Sequence, residues 1–294
     1  MAKMEKRQKQ ILIGAGLLAV VLLMAVFAVK DLDISNALYR PDSAFAVFCE
    51  AFGWWPAYLP IPILGATWLW QSGPEYRRGT GAFMLIGGFA GMWYGSLHYL
   101  AELGLIGSVS APMILLLCVV CGLFAAGCTS RTPKAGRTRV CFTCKAGILF
   151  LIGQLAVINL VKYFWGRWRY FELVQAGGFS RYTPWYHPNG PTGHSSFPSG
   201  HTAAACAVFL LLVYVFVSNR KKAVRWATGI FCTLYVVAVA VGRVMMGRHF
   251  ASDTLAAMVI CGLLFYILLR SKWYHKWFYY HKAHQSRDGL KFTG

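Results

Sequence analysis

Two histidines, a carboxylate and a few cations stand out in an otherwise apolar chain. His249 and Asp253 are spaced i, i+4, which on a helix puts them one turn apart on one face. A carboxylate so placed accepts the proton of one imidazole nitrogen, fixes the tautomer and leaves the other nitrogen a better nucleophile. His201 follows Pro198-Ser199-Gly200 in the first turn of a second predicted helix. Free backbone N–H groups at a helix start suit an anion, and Gly200 permits close approach of the backbone. A histidine beside a bound phosphate can protonate a leaving alkoxide. The plainer reading of Ser199 is a turn residue and N-cap. Lys162, Arg169 and Arg243 supply positive charge for the equatorial oxygens of a phosphoryl group, and arginine's planar fork bonds two oxygens at once. These residue types therefore allow phosphoryl transfer, with one histidine attacking and the other donating a proton. No cluster of carboxylates accompanies them, so neither a metal nor a cofactor is expected.

The elements that must position these groups are long apolar runs, and each candidate residue falls where a run begins or ends. With 57% hydrophobic and 13% charged residues, the chain carries more apolar surface than a water-soluble core can hide, so the bilayer must serve as solvent. The expected fold is all-α, a polytopic transmembrane helical bundle of six to eight spans, with eight favoured. The runs lie at about 11–29, 54–70, 82–100, 111–127, 146–162, 200–217, 224–242 and 250–269. Lys and Arg alternate with them. Of the 29, 21 fall within 3–9, 77–78, 131–145, 220–225 and 270–291, all on one side. The other eight, Lys30, Arg40, Lys162, Arg167, Arg169, Arg181, Arg243 and Arg248, fall opposite. The positive-inside rule makes the richer side cytoplasmic, with both termini inside and every candidate site residue at the outer face. The net charge of +19 thus sets orientation and gives no ground for nucleic-acid binding.

Three regions follow: an N-terminal transmembrane region over 1–127 with four spans, a catalytic transmembrane region over 146–269, and a basic cytoplasmic tail over 270–294. The apolar start ends in Val26-Phe27-Ala28 but is too long for a signal h-region, so it reads as a retained anchor. Residues 30–53, with Asp31, Asp33, Asp42 and Glu50, read as a mildly acidic, solvated outer loop. Pro56, Pro60 and Pro62 kink the second span or delay its start. Gly87-x3-Gly91-x3-Gly95 reads as a close-packing face, and His98 with Glu102 as interfacial polar residues. The basic segment 128–145 reads as a hinge, and its Cys141-x-x-Cys144 as incidental thiols, since no second matched pair stands near. The Gly- and Pro-rich stretch 170–197 reads as an irregular outer binding loop. Trp273, Trp277, Tyr279 and Tyr280 give the tail the makings of an interfacial amphipathic segment.

Lys162-x6-Arg169, Pro198-Ser199-Gly200-His201 and Arg243-x5-His249-x3-Asp253, in that order, resemble the three-part signature of the type 2 phosphatidic acid phosphatase (PAP2) superfamily. The resemblance covers about residues 146–269. Two positions depart from it: Tyr170 replaces the proline that usually follows the motif arginine, and Gly242 the serine that usually precedes the third-motif arginine. The resemblance implies that His249 attacks phosphorus to form a phosphohistidine, Asp253 orients it and His201 protonates the leaving group. Lys162, Arg169, Ser199, Gly200 and Arg243 would hold the phosphate.

The expected activity is therefore that of a metal-independent phosphatase in a bacterial-type inner membrane. Its partner would be a lipid phosphate presented from the bilayer: phosphatidate, phosphatidylglycerol phosphate or undecaprenyl diphosphate. Within the same chemistry stand a lipid phosphotransferase and a sugar-phosphate phosphatase. A lipid transporter is the reading from another class. Transporters place ionisable groups near the midplane, whereas here the span interiors are nearly free of charge. A vanadate-dependent peroxidase shares the anion site, but the membrane composition speaks against it. Oligomeric state is not legible.

Overall fold

The computed structural model describes residues 2–71, 73 and 76–276, and among these every regular element is helical. In chain order they are α1 (Ala2–Leu38), α2 (Ala44–Phe52), α3 (Trp55–Tyr58), α4 (Pro60–Trp68), α5 (Arg78–Glu102), α6 (Ala111–Arg131) and α7 (Lys134–Trp165). Then come α8 (Tyr170–Gln175), α9 (Gly200–Cys206), a 3₁₀ turn over Ala207–Phe209, α10 (Leu210–Val217), α11 (Lys222–Met245) and α12 (Ala251–Arg270).

Six segments are long and apolar enough to cross a bilayer: Gly14–Leu38, Ala111–Arg131, Lys134–Gln175, Gly200–Val217, Lys222–Met245 and Ala251–Arg270. Leu17, Leu22, Leu115, Leu116, Leu123, Phe124, Leu263 and Ile267 on these helices are exposed, as lipid-facing side chains must be. The chain is a multi-pass helical membrane protein. Two of the eight expected spans do not meet the same measure. The 54–70 run is divided into α3 and α4 around Leu59, each opening with a proline in its first two positions. α5 is 25 residues long, but its many glycines and polar residues lower its mean hydropathy.

Two expected loops turn out largely helical, and a third opens with a short helix before becoming irregular as expected. Residues 30–38 continue α1, because Lys30-Asp31-Leu32-Asp33-Ile34-Ser35-Asn36-Ala37-Leu38 contains neither Gly nor Pro to stop it, and α2 takes up most of the remainder. The basic 128–145 segment is helical except at Thr132 and Pro133. The 170–197 loop opens with α8 and is irregular only beyond it. Of the tail, Trp277, Tyr279 and Tyr280 lie outside the described residues.

The chain divides into two compact units. One comprises Met1–Glu50, Ala156–Ala203 and Val237–Val259; the other comprises Ala51–Leu155, Ala204–Val236 and Ile260–Gly294. In the second unit α4 and α5 cross closely, though not through the glycines the spacing suggests. A Cβ on Gly65 would lie 2.5 Å from the Gly81 carbonyl oxygen and one on Gly88 would lie 2.7 Å from Pro62 Cδ, whereas Gly87 and Gly91 face open space. Cys141 and Cys144 are buried there with Leu64, as the reading of incidental apolar thiols requires. His98 and Glu102 pair with each other at 3.3 Å, more than half exposed. In the first unit a small core joins Tyr170, Leu173 and Phe250 to Leu32 and Tyr39. It fastens α8 and the start of α12 to the end of α1, where the candidate residues lie.

Candidate active site

The polar centre of the first unit is built around two consecutive serines that no motif contains. Backbone bonds lay the end of the 170–197 loop along the stretch that follows α7. Gly190 N–H donates to Phe164 O (3.1 Å), Asn189 N–H to Trp165 O (2.9 Å) and Ser196 N–H to Arg167 O (2.9 Å). The loop can approach so closely because Gly166 has φ +52° and no side chain; a Cβ there would collide with the Gly190 carbonyl oxygen.

Ser195 meets both cations of the first motif. Lys162 Nζ donates to its carbonyl (2.6 Å) and Arg169 Nη2 to its hydroxyl (2.8 Å). Ser196 meets the other half of the site. Its carbonyl accepts from His249 Nδ1 (2.6 Å), and its hydroxyl donates to Asp253 Oδ2 (2.6 Å). A carbonyl only accepts, so Nδ1 carries the proton and Nε2 keeps its lone pair.

Asp253 therefore reaches the imidazole mainly through Ser196. Its own Oδ2 lies 3.8 Å from Nδ1, too far for a hydrogen bond. His249 is not on the helix: it sits in the turn before α12, whose first residue is Ala251. Asp253 Oδ2 also accepts from Phe250 N–H (2.8 Å), the backward half of a capping box. Burial pushes the His249 imidazole well below the usual histidine range; the Arg243 and Lys162 charges act in the same direction, against the nearby Asp253 carboxylate.

His201 is in the first turn of α9, and its Nε2–H donates to the Glu50 carbonyl (3.2 Å). Arg243, at the end of α11, pairs with the Glu50 carboxylate, and Arg248 Nε lies 3.7 Å from the same group. Glu50, read from sequence as a solvated loop residue, is thus a buried α2 carboxylate among cations. Lys162, Arg248 and Arg169 are the charges that surround His201. Among the described residues, Arg169 Nε and Arg243 Nε are buried without a hydrogen-bond partner, an arrangement that suits an incoming anion. Ser199 is the N-cap of α9: its hydroxyl accepts from Thr202 N–H (3.3 Å) and Thr202 Oγ1 (2.9 Å), and its own N–H donates to the Asp253 carbonyl (3.0 Å). Gly200 lies beside Lys162; a Cβ there would be 3.8 Å from Lys162 Cε.

The stretch from Lys162 to Asp253 lies within a segment that matches a known family model. Residues 143–277 match the PAP2 superfamily. The PAP2 region carries all three motifs and eight of the eight candidate residues named above, from Lys162 to Asp253. The chain is also similar to a curated relative, phosphatidylglycerophosphatase B of Bacillus subtilis (strain 168), at 30% identity over 106 residues, 34% of this chain and 50% of that protein. The chain thus matches about half the length of this relative. No solved structure matches.

The two departures from the PAP2 pattern have local explanations. Tyr170 opens α8 where proline would be tolerated, and its ring is buried against Tyr39 while its hydroxyl donates to Asn36 Oδ1 (2.8 Å). Gly242 faces Cys49 of α2 so closely that a Cβ would lie 2.5 Å from Cys49 Cβ. Sequence reasoning missed Ser195, Ser196, Arg167 and Asp31. Arg167 sits between the two motif cations, which was a signal; the other three carried none.

Proposed function

We propose that this chain is an integral-membrane phosphatase that hydrolyses a phosphomonoester or diphosphate of a membrane lipid through a phosphohistidine on His249. The observation that carries the reading is the imidazole itself. Its Nδ1 is spent on the Ser196 carbonyl, its Nε2 has no hydrogen-bond partner among the described residues, and burial disfavours its charged form, with cationic N–H groups nearby that lack partners among the same residues. In the first step Nε2 gives its electron pair to phosphorus while the bond to the leaving oxygen breaks. His201, protonated beside the bound phosphate dianion, passes that oxygen a proton. In the second step a water attacks phosphorus, His201 takes its proton, and the P–N bond breaks to release phosphate and restore His249. Lys162, Arg169 and Arg243 offset the charge on the equatorial oxygens, with Ser199 and Gly200 at the phosphate's edge.

The name of the Bacillus subtilis relative favours a lipid phosphate such as phosphatidylglycerol phosphate, and the apolar spans give its tails a place to stay while the headgroup reacts. Charge distribution supports an outward-facing site with both termini inside. The reaction requires no metal, since the groups that would meet the phosphate are themselves cations. The test is phosphate release by purified protein from phosphatidate, phosphatidylglycerol phosphate, undecaprenyl diphosphate and a soluble sugar phosphate. Release from a lipid substrate, lost in folded His249→Ala along with an acid-labile radiolabel on the protein, is expected. Near-normal turnover by His249→Ala would sink the assignment.

A further inference from the structure

One buried charged network joins the motif carboxylate Asp253 to Asp31, Arg167 and Ser252, to none of which a motif assigns a role. Asp31, Arg167, Ser252 and Asp253 are each 0% exposed, and the bonds of the network that involve Arg167 or Asp31 join residues 85 to 221 apart. Arg167 uses its whole fork. Nε donates to Thr183 O (2.9 Å), Nη1 to Asp253 Oδ1 (2.6 Å) and Ser252 Oγ (2.9 Å), and Nη2 to Asp31 Oδ2 (3.1 Å). The guanidinium lies over the Phe250 ring at 4.1 Å. Lysine has neither the plane nor enough donors in these directions to replace it.

Asp31 does something more specific than balance charge. α12 begins at Ala251, so Phe250 is its N-cap residue and has no side-chain acceptor for the free N–H groups of the first turn. Asp31 Oδ1 accepts from Ser252 N–H (3.0 Å), and Oδ2 accepts from the Ser252 hydroxyl. A carboxylate from α1 thus performs the capping that the local sequence cannot, at the end of the helix where negative charge is favoured. The helix so capped carries Asp253, follows directly on His249, and has Arg167 bound to both carboxylates.

We infer that Asp31 and Arg167 are positioning residues for the nucleophile: Asp31 fixes the start of α12, Arg167 ties it to Asp253, and Asp253 through Ser196 holds His249 in its Nδ1–H tautomer. The inference rests on the phosphohistidine reading for its kinetic consequence but not for its structural one, and the two can be separated. The full chain in detergent is compared as wild type, Asp31→Asn, Arg167→Lys and Asp33→Asn. Asp33, two residues away, is exposed and pairs only with Lys30 at 2.9 Å among the described contacts, so Asp33→Asn is the control.

Kinetics are read with dioctanoyl phosphatidate as the probe. Losing an outer partner of a held imidazole predicts kcat lower by about 10-fold to 100-fold with KM within about threefold. Nitrogen-15 spectra of histidine-labelled protein, assigned with His249→Gln, are expected to show a single His249 tautomer in wild type and Asp33→Asn and a mixture in Asp31→Asn. A kcat within threefold of wild type, or a kcat loss with the single tautomer intact, overturns the inference. If Asp31→Asn or Arg167→Lys does not fold, Ser252→Ala, which removes only the hydroxyl they share, is judged by the same outcomes. A wild type silent toward every probe phosphate refutes the phosphatase reading, while the imidazole spectrum still decides the positioning role.

Discussion

Placing at position 242 the serine usual in the PAP2 pattern should harm this protein. A Cβ on Gly242 would stand 2.5 Å from Cys49 Cβ and 2.7 Å from Cys49 Sγ. Carbon atoms rest at about 3.5–4.0 Å, so the intrusion on Cys49 Cβ is on the order of 1 Å. Rotation about χ1 cannot relieve it, because Cβ is fixed to the α2 backbone. Overpacking of this kind costs about 1–3 kcal/mol, and replacing a mid-helix glycine returns only about 0.5 kcal/mol of that. The helices must shift, and the residues following the two colliding positions, Glu50 and Arg243, are the ion pair beside His201. If Arg243 holds the phosphate as proposed, a misplacement of about 1 Å there costs up to about 100-fold, or roughly 2.7 kcal/mol of barrier. Gly242→Ser is therefore expected to lower kcat/KM by about 10-fold to 100-fold and to lower the unfolding temperature followed by tryptophan fluorescence. Adding Cys49→Gly, which removes the obstructing Cβ, should recover most of the loss. Cys49→Ala, which leaves that atom in place, should recover less. Wild-type turnover in Gly242→Ser, or equal rescue by the two cysteine variants, would refute the reasoning.

Three further outcomes follow from the same geometry. Gly166→Ala, which must accept φ +52° and a contact with the Gly190 carbonyl, should cost more than the ~1–2 kcal/mol of a left-handed alanine and release the loop that carries Ser195 and Ser196; loss of phosphate release with faster proteolysis within 177–194 is the measurement. Because the His249 pKa is lowered, the nucleophile stays unprotonated as pH falls through about 6.5, so the acid limb of kcat/KM should lie below that value. By the same shift the unfolded chain binds a proton that the native one does not, so this residue's contribution to stability declines below about pH 6.5, as acid unfolding curves of wild type and His249→Gln would reveal. Excess chelator should leave phosphate release intact, and loss restored by magnesium would overturn metal independence.

The helical class and the three motifs were legible in sequence because both rest on local signals, apolar runs and fixed spacings. What escaped was whatever tertiary packing decided. Asp31 and Asp33 look alike in the chain, yet two residues on a helix are about 200° apart, so one is buried on Arg167 and the other is 63% exposed beside Lys30. Loop-like composition at 30–38 misled because acidic residues there cap and pair rather than terminate α1. The i, i+4 spacing of His249 and Asp253 suggested direct contact along a helix, but the helix starts two residues later and Ser196 fills the gap. Gly242 could be recognised as a departure, but its reason, Cys49, lies 193 residues away.

The adjacency of Ser195 and Ser196 has an evolutionary consequence. One residue answers to the cations and its immediate neighbour to the nucleophile, so a single peptide bond sets the spacing between the two halves of the reaction. In a homologous chain, a residue gained or lost between the two serines would put the halves out of step. Length variation among relatives should spare this dipeptide, the fixed mark from which the loop is counted.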